Sequence, residues 1–318
     1  MRAAGIDCGT NSLRLLLVES DGPDAPVREL TRQLRIVRLG EGVDATGAFS
    51  AAALERTFAV LDEYARLIHE AGVEPARIRM VATSAARDVR NRDAFSAGAR
   101  DRLGIEPQVI PGAEEAELSF AGALAGLRSA GVSVDGPVLV TDVGGGSTEF
   151  AVGDPDGTLR QATSLDIGSV RLRERSMPGD PPEPAQLRAT RDIIDTALDD
   201  SGIDFGAVRE WVGVAGTVTS VLAAHLELPA YDREAVHGAR MSLPAVQEIA
   251  DRFCARTVEE LSLIPSLHPL RAQVISAGAV ILERISRRLD VPGLLASETD
   301  ILDGVAARAL AGGVQVSG

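Results

Sequence analysis

A short pattern occurs twice in this chain. Asp7-x-Gly9-x-x-Ser12 and Asp142-x-Gly144-x-x-Ser147 share their spacing, each follows an apolar run, and one constant interval separates every matched pair. Two halves built on a single plan would leave such an echo, and so would chance, because six residues is a short match. The local reading is the same in both places. An apolar run enters a glycine-bearing turn and a second apolar run leaves it, LRLLLVE in the first case and Glu149 to Val152 in the second, which predicts strand, tight turn, strand.

Strands and helices alternate along the rest of the chain. Leu54, Phe58, Leu61, Ala65 and Ile68 recur at steps of four and three before Gly72, the spacing of an amphipathic helix over residues 50–71 with a glycine stop. IRMVATS (78–84) predicts a strand, 93–103 a helix and 106–110 a short strand. After Pro111-Gly112, AEEAELSFAGALAGL predicts a helix with Glu114, Glu115 and Glu117 in its first turns, and VLVTDV (138–143) a second strong strand. Asp156-Gly157 signals a hairpin into TLRQATSL. Further helices are expected over 184–200, 217–227, 243–256, 269–289 and about 300–310, with strands over 211–216 and 293–297. Such alternation is α/β, and 318 residues that are 45% hydrophobic fill two domains of roughly 150 residues each. The apolar helix 269–289 suits either a core or a subunit interface.

Composition removes several chemistries. All 32 basic residues are Arg, so a P-loop lysine, a protein-kinase strand lysine and Schiff-base catalysis are excluded. Cys8 and Cys254 lie far apart and offer neither a disulfide framework nor a CxxC site, and His69, His225, His237 and His268 show no paired ligand spacing. A formal net charge of −14 argues against a general nucleic-acid surface, so an anionic substrate must be held locally. Apolar runs fall short of the ~20 residues that span a bilayer and the N-terminus lacks a signal-peptide pattern, so the expectation is a cytoplasmic protein without membrane partners.

The stretch TDVGGGSTEF (141–150) concentrates the chemistry. Glycines at a strand-to-strand turn let backbone N–H groups converge on an anion, and Ser147 and Thr148 add hydroxyls. The stretch matches neither GxxxxGK[ST] nor a GxGxxG entering a helix. Asp142 and Glu149 flank the turn, and carboxylates beside a phosphate repel it unless a cation lies between them. Mg²⁺ takes one or two carboxylates with phosphate oxygens and water, so Asp142 and Glu149, with Asp7 of the echoing turn as a third acid, are candidate metal ligands.

These motifs resemble a known family. GIDCGTNSLRLLLVE, ATSAARDVRN (82–91), PGAEEAELSFAG (111–122), VTDVGGGSTEFAVG (140–153), SLDIGSVRL (164–172) and VGVAGTVTSV (212–221) occur in the order seen in the exopolyphosphatase and guanosine pentaphosphate phosphohydrolase family, over nearly the whole chain. The resemblance implies an actin-like, ribonuclease H-like (ASKHA) duplicated α/β fold with an interdomain cleft. The division expected is 1–127 plus 299–318 for one domain and 128–298 for the other, with no C-terminal HD-type domain. It implies Glu115 as the base for the attacking water, and Asp142 and Glu149 as catalytic acids that hold Mg²⁺, or Mn²⁺ in its place, with K⁺ as a monovalent candidate. Asn11, Ser12, Arg87, Gly144, Gly145, Gly146, Ser147, Gly216 and Thr217 would bind phosphate. The substrate implied is inorganic polyphosphate, with guanosine pentaphosphate as the rival, and the assembly a homodimer. A polyanion path would draw on Arg87, Arg90, Arg92, Arg171 and Arg173. A same-fold kinase, a non-catalytic phosphate sensor and a filament subunit are the remaining alternatives. Asp166 departs from the pattern, since relatives carry an uncharged residue there.

Overall fold

The computed structural model describes residues 1–22, 25–87 and 89–312. The chain divides into two compact units, Met1–Pro111 with the segment from Ile301 onward, and Gly112–Asp300.

In the first unit, β1 (Arg2–Cys8) is buried from Ala3 onward because both of its faces are covered. Ala4, Ile6 and Cys8 join Leu13, Leu15 and Leu17 of β2 (Ser12–Glu19) against Leu61 and Tyr64 of the helix Ala51–Glu70. Alternate residues, Ala3, Leu16 and Val18, pack on Leu302, Ala306 and Ala309 of the helix Ile301–Leu310. Period-two alternation thus feeds two separate cores from the same two strands. With β3 (Arg28–Ile36), β4 (Ile78–Ala82) and β5 (Gln108–Val109), the sheet runs in the order β3-β2-β1-β4-β5. β1, β2 and β3 are antiparallel neighbours, while β1, β4 and β5 run parallel.

The second unit repeats this order. β6 (Val138–Val143), β7 (Thr148–Gly153), β8 (Leu159–Leu165), β9 (Glu210–Val214), β10 (Arg240–Met241) and β11 (Leu294–Ala296) form the sheet β10-β11-β9-β6-β7-β8. β6, β7 and β8 are the antiparallel meander and β6, β9 and β11 the parallel part, so β6 stands where β1 stands and β9 where β4 stands. The repeated turn joins β1 to β2 in one unit and β6 to β7 in the other. Two halves on one plan therefore account for the sequence echo, and chance is not needed.

One expectation changes, one open reading is settled and one strand is new. The helix Gly112–Ser129 packs in the second unit, where its Ala116, Phe120, Ala123 and Leu127 share a core with Val138, Val140 and Ala151, so the division falls after Pro111 and not after residue 127. The helix Pro269–Ser286 is core, since Ile275, Ala279, Leu282 and Ile285 are fully enclosed in the main apolar cluster of that unit. Strand β3 carries no clear sequence signal. Its RELTRQLRI is a half-exposed edge strand whose arginines pair outward, Arg32 with Asp303 and Arg35 with Glu63. Among the described residues no helix is long and apolar enough to cross a membrane.

Candidate active site

Asp142 and Glu149 are directly opposed in the β6–β7 ladder, so their side chains leave the same face of the sheet a few ångströms apart. Both are buried, at 5% and 1% exposure. Each is held by hydroxyls. Ser119 Oγ donates to Asp142 Oδ2 at 2.7 Å, while Ser147 Oγ and Ser164 Oγ donate to Glu149 Oε1 at 2.5 and 2.7 Å.

Ser119 connects this pair to Glu115. The two sit four residues apart on the helix Gly112–Ser129, hence on one face, and Glu115 is also buried, at 7% exposure. Through Ser119 the helix is fastened to Asp142, which sets Glu115 one turn nearer the helix N-terminus on the same side. Sequence reasoning missed Ser119, although its spacing from Glu115 was the available signal.

The glycine loop is fixed from behind. Ser169 N–H and Oγ donate to Gly144 O at 2.9 and 3.1 Å, Val170 N–H and Arg171 N–H to Gly145 O at 2.8 and 3.1 Å, and Arg171 Nε to Gly146 O at 2.7 Å. In a trans peptide C=O and N–H point in opposite directions, so three captured carbonyls turn the N–H groups of Gly145, Gly146 and Ser147 the other way together. That row is an anion cradle. None of the three loop glycines has a positive φ, so left-handed backbone is not why glycine stands there. The close approach belongs to Gly168, where a Cβ would lie 2.3 Å from Gly145 O. Gly168 too was missed, inside a segment read only as a family motif.

In the first unit the equivalent turn is built alike but charged differently. Gly9 N–H donates to Ser12 O at 2.9 Å, as Gly144 N–H does to Ser147 O at 3.1 Å. The residue opposite Asp7 in the ladder is Arg14, whose Nε and Nη2 donate to Asp7 Oδ2 at 2.9 and 2.6 Å. Asp7 is thus engaged by a cation of its own unit. Asp142 and Glu149 share one ladder position within their unit, and among the described residues no group of three or more His, Cys, Asp or Glu side chains is placed to hold a metal. Two buried carboxylates ringed by serine hydroxyls are hard oxygen donors of the kind Mg²⁺ accepts, and the pair fits that ion.

The remaining expected phosphate ligands divide between the units. Asn11 O accepts from Val37 N–H and Arg38 N–H, and Arg87, at the end of the short helix Ser84–Arg87, donates through Nη1 to Ile110 O at 3.1 Å. Gly216 and Thr217 open the helix Ala215–His225, where Ala215 has φ 66° and a Cβ on Gly216 would lie 1.4 Å from Arg271 Nη1. The Arg271 guanidinium, which sequence reasoning did not single out, lies against Gly216. Of the arginines proposed as a polyanion path, Arg90 donates to Thr46 O and Arg171 to the glycine loop. Arg173 donates to the carbonyls of Gln273, Met177 and Gly179. Those contacts give Arg171 and Arg173 structural tasks. Burial, reinforced by the Asp7 charge, pushes the Cys8 thiol far up, and burial pushes Cys254 up to about 12, so both are apolar packing groups and not nucleophiles.

The sequence profile of the Ppx/GppA phosphatase family matches residues 18–311. The chain belongs to the Ppx/GppA phosphatase family. Exopolyphosphatase 2 of Mycobacterium tuberculosis is 42% identical to it, across 96% of this chain and 97% of its own length. A crystal structure described as that of an exopolyphosphatase-like protein superposes with a TM-score of 0.90 at 36% identity, covering 98% of this chain and 100% of the other. The Ppx/GppA family member of Aquifex aeolicus gives 0.81 at 29% identity, covering 98% of each chain. Ppx/GppA membership makes the chain a phosphatase, a hydrolase with the duplicated actin-like α/β fold.

Proposed function

We propose that this protein is an exopolyphosphatase that releases the terminal phosphate of inorganic polyphosphate by attack of water. The observation that carries the proposal is the opposed pair Asp142 and Glu149, buried beside an aligned row of loop amides and tied through Ser119 to the helix that holds Glu115. The name of the 42%-identical relative supports the substrate class.

Phosphoryl transfer to water asks for in-line positioning and for stabilisation of charge on the phosphoryl oxygens. The amides of Gly145, Gly146 and Ser147 would bind those oxygens, and Glu115 would orient the water and accept its proton. A bound Mg²⁺, held by Asp142 and Glu149, would supply charge neutralisation between the carboxylates and the phosphate. Ser119, Ser147 and Ser164 keep the two carboxylates in place for that task. Glu115 lies in the first turn of its helix and is buried there. In a loose transition state orientation of the water matters more than strength of the base, so this position is adequate. Asn11, Ser12, Arg87, Gly216 and Thr217 enter the proposal as phosphate ligands by family position.

The test is phosphate release by purified protein from short polyphosphate, long polyphosphate and guanosine pentaphosphate, with and without EDTA followed by Mg²⁺. Release from polyphosphate that EDTA abolishes and Mg²⁺ restores is expected. Preference for guanosine pentaphosphate would replace the substrate, and undiminished release in EDTA would remove the metal. Glu115→Gln is expected to lower kcat at least ~100-fold, the usual size of an acid–base effect, with a modest change in KM.

A further inference from the structure

We infer that Arg171 and the first turn of the helix Ser169–Ser176 are positioning elements for phosphate binding: they hold the glycine loop from behind, and Arg171 sets the affinity of the cradle without touching the ligand. The inference rests on the proposed role of the loop as a phosphate cradle.

Five donors reach three consecutive carbonyls. The N–H groups of Ser169, Val170 and Arg171 belong to the open N-terminus of a helix, where backbone donors have no partner inside the helix itself. Here their partners are Gly144 O and Gly145 O. Gly146 O is taken by Nε of Arg171, whose side chain is 16% exposed. Each captured carbonyl fixes one peptide plane, so the three N–H vectors facing the other way are fixed as a set. The third plane, which carries the Ser147 N–H, depends on Arg171. Gly168 permits the arrangement, because any side chain there would drive the loop off the helix. A hydrogen bond to a cationic donor also polarises the Gly146–Ser147 peptide and strengthens its N–H as a donor on the far side.

Such a part played at second hand has a signature. Loss of the clamp should weaken binding of inorganic phosphate and of substrate by the same factor, whereas simple destabilisation lowers the active fraction and leaves both constants alone. The measurement is KM for polyphosphate, the inhibition constant of orthophosphate, and direct orthophosphate binding by calorimetry, on full-length wild type, Arg171→Met, Arg171→Lys and Ser169→Ala, each with its melting temperature. In Arg171→Met, KM and the orthophosphate constant should rise together about tenfold, which corresponds to ~1.4 kcal/mol. Arg171→Lys, which keeps a cationic donor on a stem of similar reach, should recover most of the loss. Ser169→Ala removes one side-chain bond and keeps the backbone ones, so it should weaken orthophosphate about threefold in a protein that still folds.

Orthophosphate constants within twofold of wild type in folded Arg171→Met, or in Ser169→Ala should the methionine variant not fold, would overturn the inference. Calorimetry separates this from failure of the exopolyphosphatase reading. A wild type that binds orthophosphate but releases none from polyphosphate would sink that reading and leave the clamp standing on the binding data.

Discussion

At the scale of single residues, the hydroxyl of Ser119 fastens its helix to Asp142, one helical turn from Glu115 on the same helix. Ser119→Ala removes a donor to a buried carboxylate, a loss of roughly 1–3 kcal/mol by the usual cost of an unmet buried group. It should also lower kcat severalfold because Asp142 is freer to turn, and the pairing of a melting-temperature drop with a kcat drop at near-constant KM is the outcome to look for. Asp166 is the residue that departs from the family pattern. It is 75% exposed on its side chain and lies 3.6 Å from Arg171 Nη2, so its charge is largely screened by solvent. Asp166→Asn should therefore change KM by less than threefold, and a tenfold change would make Asp166 a working part of the cradle. The candidate acids and the glycine loop were legible in the sequence because charge and glycine stand out letter by letter. Ser119, Ser164 and Gly168 were not, since a serine or a glycine acquires its meaning only from what folds up against it.

Helices were the easier elements to read: in Ala51–Glu70 the stripe Leu54, Phe58, Leu61, Ala65 and Ile68 marked the packed side, although the fully buried row is Ala53, Thr57, Leu61, Tyr64 and Ile68, with Leu54, Phe58 and Ala65 half-buried beside it. Ends moved by up to three residues, as where the helix expected to 289 stops at Ser286, because turn chemistry and not the apolar stripe decides them. Strand β3 escaped because an edge strand with charged partners on both faces has no apolar period to display. Around the helices Pro184–Asp199 and Pro269–Ser286, charge does work that sequence spacing could not announce: Arg284 reaches Asp195 through Nε at 3.0 Å and Nη2 at 2.6 Å, and Arg288, just past the second helix, through Nη2 at 3.1 Å. Burial pushes the Asp195 carboxyl up, but the bonds from the two arginines outweigh it and hold the group below its usual value. A depressed folded value means that the stabilisation is complete above the unfolded carboxylate value of about 3.9 and is lost as pH falls through the folded one. Asp195→Asn should accordingly lower the melting temperature at pH 7 and show a shallower acid limb below about pH 4 than wild type. Parallel curves at the two pH extremes would count against the assignment.

For the whole molecule, the division into units predicts unequal independence. Gly112–Asp300 is one continuous segment with a six-stranded sheet and its own cores, whereas the first unit closes only when the helix Ile301–Leu310 returns to β1 and β2. A fragment spanning 112–300 should fold and melt cooperatively, while 1–111 alone should expose Ala3, Leu16 and Val18 and fail to do so. Circular dichroism of the two fragments checks both statements, and a cooperative 1–111 would contradict them. The repeated topology has one more consequence. Asp7 and Arg14 occupy the same ladder position as Asp142 and Glu149, so one frame has been kept twice, once with its charge settled internally and once with two acids side by side. Each half is thereby a ready-made comparison for the other: what a turn of this shape does when an arginine faces its aspartate can be observed in the same polypeptide, under the same conditions, as the turn in which a glutamate stands there.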